Sequence, residues 1–156
     1  MESNLSLVET KEILNSGKSG KFIHAEFSNE CNITGQNSEN IFFELSIKDI
    51  ETIMWLLDEG PQLVFAISGR INNEFDDYAT ILLGFKDNRS VVISSNWVSQ
   101  ENKRGCNIIT TQGKISLDMT ADDAIIKNQN NDNARKVTEA ALLSSQKGIP
   151  IYLELK

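Results

Sequence analysis

Between Leu63 and Asp118 the apolar runs follow one another too closely for anything but an antiparallel sheet. They are Leu63 to Ser68, Tyr78 to Phe85, Ser90 to Val98, and Cys106 to Thr110 leading into Lys114 to Asp118. A parallel pair needs a crossover of a dozen or more residues, and the connections here are shorter, so a meander is expected. In the turn Lys86-Asp87-Asn88-Arg89, Asp and Asn tolerate the left-handed backbone that a hairpin demands. Thr111-Gln112-Gly113 reads as a second turn of that kind.

Helical periodicity appears on either side of this stretch. Leu7, Val8, Ile13 and Leu14 form one stripe over Leu5 to Asn15, stopped by Ser16-Gly17. From Ser46 to Asp58 the residues Ile47, Ile50, Ile53, Met54, Leu56 and Leu57 recur at helical spacing, and Gly60-Pro61 ends the element. A last helix is predicted from Asp132 to Gln146, with Gly148 after it. Lys21 to Phe27 reads as a strand, and Ser28 to Asn40 as a loop or weak hairpin. Ile149 to Leu155 reads as an edge strand, because Pro150 cannot donate to a central ladder. Asn128, Asn130, Asn131 and Asn133 suggest a mobile connection before the last helix. The pattern predicts one α+β domain over residues 1–156, an open and mostly antiparallel sheet with helices on one face.

In Tyr78 to Phe85, Ala79, Ile81, Leu83 and Phe85 are apolar, yet the alternate set Tyr78, Thr80, Leu82 and Gly84 is only half polar. Neither sheet face is then fully solvated, and self-association through the outer face is expected, with Trp97, Leu82 and Val91 or their neighbours near the contact.

Composition removes several functions. A chain of 156 residues with 40% hydrophobic residues can build a full core without staples, burying roughly 70% of its unfolded surface. A formal charge of -7 and a pI near 4.7 disfavour binding to nucleic acid. Cys31 and Cys106 have neither CxxC spacing nor histidine partners, so no metal site and no disulfide framework is expected. Reduced thiols and the absence of a leader or long apolar run make a cytoplasmic protein without membrane contact the expectation. Gly17-Lys18-Ser19 resembles the end of a phosphate loop, but Glu12 stands where that loop needs glycine. His24, the one histidine, lies in a strand without a ligand partner and reads as structural.

Two charge constellations remain. Glu44 and Lys48 are four apart and would share a face where a helix begins, within ion-pairing reach, while Asp49 and Glu51 suit its positive N-terminus. Lys103-Arg104 precedes a strand and could hold a carboxylate or phosphate.

Several segments, taken in order, resemble the C-terminal domain of the Gfo/Idh/MocA oxidoreductases, the glucose-fructose oxidoreductase and inositol dehydrogenase family. Residues Ile13 through Glu26 resemble the helix, turn and first strand of that domain. Asp49-Ile50-Glu51 with Trp55-Leu56-Leu57 is similar to its helix, and Asp77-Tyr78-Ala79 with Phe85, Asn88 and Trp97 to its central hairpin. Arg104 through Asp118 resembles the following hairpin, and Asn133 through Ala140 with Ser144, Ser145 and Gly148 the closing helix and strand.

The resemblance implies a dihydrodipicolinate reductase-like or glyceraldehyde-3-phosphate dehydrogenase-like C-terminal domain that supplies substrate contacts and an open sheet for homo-oligomers. It implies NAD(P) only through a separate Rossmann partner, since no G-x-G-x-x-G and no Glu-Lys-Pro motif occurs in the chain. Where the family places an Asp and, four residues on, a proton-transferring His, this chain has Glu44 and Lys48. Lys48 is thus the candidate catalytic acid/base, with Glu44, Asp49, Lys103 and Arg104 as contacts for a small polar or sugar-like ligand. The expectation is a substrate-binding and oligomerisation domain without redox activity alone, or else a split dehydrogenase half that works with a Rossmann chain. A lone enzyme using Lys48 as a Schiff-base nucleophile is a third reading.

Overall fold

The computed structural model describes residues 5–32, 39–71, 73–120 and 132–155. Helix α1 (Leu7–Ser16) starts on a capping box. Ser6 Oγ accepts from the Glu9 backbone N–H, and the Glu9 carboxylate accepts from that of Ser6. It ends at Gly17, whose φ of 75° lies where a side chain would be strained. Strand β1 (Phe22–Glu30) follows, three residues longer than its apolar run suggests. A π-helical turn (Phe42–Ser46) then runs straight into α2 (Ile47–Leu57).

Strands β2 (Leu63–Gly69), β3 (Tyr78–Gly84), β4 (Ser90–Asn96), β5 (Lys103–Thr110) and β6 (Gly113–Asp118) come next, then α3 (Asp132–Lys147) and the short β7 (Ile151–Tyr152). Asp87 and Asn88 do adopt positive φ in the β3–β4 turn, 61° and 59°. The expected mobile connection at Asn128, Asn130 and Asn131 lies outside the described residues, and Asn133 is in α3.

The strands form one sheet in the order β6-β5-β1-β4-β3-β2-β7. All neighbours are antiparallel except β1 and β4, which run parallel. The expected meander is therefore interrupted. β2-β3-β4 and β5-β6 are hairpin-linked groups, and β1 lies between them. Short connections correctly forced antiparallel pairing within each group, but the β4–β5 link spans a strand that comes earlier in the chain.

The described helices cover one face. There Ile50, Ile53 and Leu56 of α2 and Val137 and Ala141 of α3 join Val64, Ile81, Leu83, Val91, Ile93 and Ile108 in one core. Ser144 of α3 fastens that layer to β2, accepting from the Ala66 N–H at 3.0 Å and donating to the Ile149 carbonyl. Val91 points into this core and Trp97 is buried, so of the residues expected on the outer face Leu82 alone is there. Trp97 Nε1 donates to Asp77 Oδ1 at 2.6 Å, and Asp77 Oδ2 accepts from the Ile71 N–H, which pins the β2–β3 connection. His24 Nδ1 lies 2.8 Å from Ser90 Oγ on the neighbouring strand.

Candidate functional site

The helix-covered face of the sheet is apolar through its middle rows and turns polar at the row of Arg104. There the inward residues of β5, β1, β4, β3 and β2 are Arg104, Asn29, Ser95, Ala79 and Ser68, in register across the strands. The π-helical turn sits over this polar row and answers it. Ser46 Oγ is 2.8 Å from Ser95 Oγ, and the Asn29 amide donates to the Leu45 carbonyl. A π turn widens the helix and leaves carbonyls free for such side-chain donors, one reason these turns occur at functional sites.

The centre of the arrangement is Asp49, in the first turn of α2 and without exposure. Arg104 Nε donates to Asp49 Oδ1 at 2.8 Å, and Arg104 Nη2 to Thr52 Oγ1 at 3.2 Å. Thr52 in turn donates to the Lys48 carbonyl. Among the described residues, Asp49 Oδ2 is buried without a hydrogen-bond partner. Burial raises the Asp49 carboxyl to about 6, against the opposing pull of Arg104 and of Lys48. Burial also raises Glu51 and, strongly, the Cys106 thiol, so Cys106 is an inert core residue.

Beside this pair a cleft of about 240 Å³ opens, lined by Asn29, Glu30, Leu45, Lys48, Lys103 and Arg104 among others. The structure thus brings Lys48, Asp49 and Arg104 together. The basic pair Lys103-Arg104 opens β5 instead of preceding it, so strand alternation sends the two side chains to opposite faces. Arg104 enters the buried row opposite Asn29, and Lys103 stands exposed opposite Glu30 at the cleft's rim. Glu44, in the π turn, accepts from the Glu39 N–H at 3.0 Å. Asn29 and Thr52 escaped the sequence reading. Their one signal was polarity at positions where the strand and helix periods call for apolar side chains.

Among the described residues no group of three His, Cys, Asp or Glu is placed to hold a metal ion. The residues present do not fit a dinucleotide either. No G-x-G-x-x-G exists in the chain, and the one parallel strand pair, β1 with β4, is not joined by a strand–glycine turn–helix unit.

The family model of the GFO/IDH/MocA C-terminal domain matches residues 7–116. The chain belongs to that family. Solved structures agree on the fold. A myo-inositol dehydrogenase candidate from Sinorhizobium meliloti superposes with a TM-score of 0.82 at 13% identity, covering 97% of this chain and 63% of its own. The myo-inositol dehydrogenase of Corynebacterium glutamicum gives 0.78 at 11% identity, with 98% and 62% covered. The scyllo-inositol dehydrogenase of Lactobacillus casei, solved with NAD(H) and scyllo-inositol, gives 0.74 at 14%, with 94% and 61% covered. This GFO/IDH/MocA C-terminal domain therefore spans about three fifths of those chains. No curated protein matches it. Among the described residues no helix is long and apolar enough to cross a membrane.

Proposed function

We propose that this GFO/IDH/MocA C-terminal domain supplies the substrate-contacting wall and the association surface of an oxidoreductase for small polyols or sugars, and carries out no redox step by itself. The observation that carries the reading is the cleft at the π-helical end of α2. It is lined by Lys48 and Asn29 beside the closed Asp49–Arg104 pair, with Lys103 and Glu30 at its rim. Such a set can donate to and accept from several hydroxyls at once. Arg104, held by Asp49 and Thr52, positions the cleft floor, whereas Lys48 and Lys103 line it as cations on different elements.

The same lining favours one second reading, a split dehydrogenase half. Lys48 would exchange a proton with the substrate hydroxyl, with Glu44 orienting it and Lys103 contacting an anionic substituent, once a separate Rossmann chain brings the coenzyme. In either reading the open sheet face associates with a second copy.

Calorimetric titration of the chain with inositols, hexoses and sugar acids tests the site. Saturable heat that Lys48→Ala and Lys103→Ala each weaken at least tenfold is expected. Binding that neither substitution changes would move the site elsewhere. Adding candidate Rossmann chains with NAD+ and the bound polyol separates the two readings. Coenzyme reduction that requires both chains and disappears in Lys48→Ala establishes the split enzyme.

A further inference from the structure

Arg104 faces two ways. Its Nε and Nη2 donate inward to Asp49 Oδ1 and Thr52 Oγ1, and the same side chain lines the cleft. The carboxylate it holds is only half satisfied. Asp49 Oδ1 accepts from Arg104, whereas Asp49 Oδ2 is buried without a hydrogen-bond partner among the described residues. A buried carboxylate that lacks donors on one oxygen gives up its charge readily. A proton arriving there settles on Oδ2 and leaves the bond from Arg104 to Oδ1 in place.

The groups that face Asp49 are few. β5 brings Arg104 and the Cys106 thiol, which burial keeps protonated, and β1 brings the uncharged Asn29. On α2 itself Lys48 pulls on Asp49, and Glu51 feels the same two cations. Glu44 of the π turn accepts from the Glu39 N–H. Burial lifts the Asp49 carboxyl to about 6, outweighing Arg104, Lys48 and Asn29, which all favour its charged form.

We propose that the cleft takes the carboxylate of a small hydroxy acid against Arg104, and that binding it draws a proton from solvent onto Asp49. This rests on the reading of the cleft as the substrate site and specifies how its ligand is chosen. While Asp49 is ionised, the guanidinium is neutralised from the core side and the pair offers the cleft no net charge. A second anion against the same guanidinium sets two like charges on either side of it, and their repulsion favours protonation of the buried one. The charge of Arg104 then passes to the ligand. Lys48 on the wall and Lys103 at the rim add to the pull on an anion. The cleft's volume of about 240 Å³ lies below the roughly 300–1,000 Å³ of drug-sized sites, so the ligand is small. By linkage the effect is reciprocal: the bound carboxylate favours protonated Asp49, and protonated Asp49 favours the carboxylate. A neutral polyol makes no such demand, so the same pair discriminates by charge.

Calorimetric titration of the full 156-residue chain with D-gluconate and with its neutral counterpart D-sorbitol, from pH 5.5 to pH 8, tests this. Gluconate stays ionised throughout. Its affinity is expected to fall at least tenfold across the range, the effect of one unit of displacement in Asp49, while that of sorbitol changes less than twofold. Titrations at pH 6.5 in buffers of different ionisation enthalpy are expected to show proton uptake with gluconate alone. Asp49→Asn is expected to bind gluconate without pH dependence. His24→Gln, which removes the one imidazole, and Glu51→Gln are expected to keep the wild-type slope. The carbon-13 resonance of the Asp49 carboxyl reads the coupling without that substitution, and its titration midpoint is expected to rise when gluconate is present. Gluconate binding with a flat pH profile, a slope that survives in Asp49→Asn, or binding of sorbitol but not gluconate overturns the coupling and leaves the substrate-site reading standing. Absence of binding by gluconate, sorbitol, inositols and hexoses alike overturns both.

Discussion

Arg104 Nε and Asp49 Oδ1 lie 2.8 Å apart, with side-chain exposures of 9% and 0%. This closed ion pair ties the first turn of α2 to the start of β5, and the cleft proposed for substrate opens beside it. Breaking a buried pair from one side strands the other charge, which costs about 3–5 kcal/mol. Arg104→Met is therefore expected to lower unfolding stability by about that amount at pH 7.5. The loss should shrink at pH 5, where Asp49 takes up a proton. Urea denaturation at both pH values checks it, and an equal loss at both would contradict the account.

Asp49 titrates in the opposite sense to an ordinary paired carboxylate. Its folded-state value, about 6, lies above the unfolded value of 3.8. The protonated form is thus favoured by folding, and the group's contribution is fully present below pH 3.8 and lost as pH rises through 6. Asp49→Asn keeps an oxygen for Arg104 and removes the titration. The stability of Asp49→Asn relative to wild type is expected to rise between pH 4 and pH 7. A constant difference across that window would show that burial does not raise this carboxyl.

Trp97→Phe keeps the ring and deletes the donor to the buried Asp77. An acceptor left short of a partner costs about 1–3 kcal/mol, and the urea midpoint should fall accordingly. If stability is unchanged, the remaining donors to Asp77, Asn73 and the Ile71 N–H, hold it without the indole.

Lys48 is exposed on α2, and water screens the pull of its charge on the buried Asp49, so its removal changes stability by at most about 1 kcal/mol. Lys48→Ala is expected to unfold like wild type while losing polyol binding. A joint loss of stability and binding would make Lys48 a structural residue.

Most elements were legible because their apolar period is unbroken, as in the Ile50, Ile53 and Leu56 stripe of α2 and the alternation Ala79, Ile81, Leu83 of β3. The turn at Asp87-Asn88 was legible from residue chemistry alone. What was hidden clusters at the site end. β1 extends through Ser28, Asn29 and Glu30, where Asn29 replaces the apolar residue that alternation requires, because it faces Arg104, Ser95 and the π turn. A π turn has no apolar signature, and its cap, Asn40 accepting from the Phe42 N–H, lies in a stretch of polar residues that reads as loop. Lys103-Arg104 looked like a single basic patch because the start of β5 is polar, and only the strand's period splits it. β1 entering between β4 and β5 is a long-range choice that local turn chemistry cannot express.

Titration of the purified chain with NADH and NADPH, followed by coenzyme fluorescence, bears most directly on the central claim that this domain contributes the substrate wall and not the nucleotide pocket. No saturable binding is expected for either coenzyme, with or without polyol present. Stoichiometric binding accompanied by polyol-dependent turnover of the coenzyme on the isolated chain would contradict it.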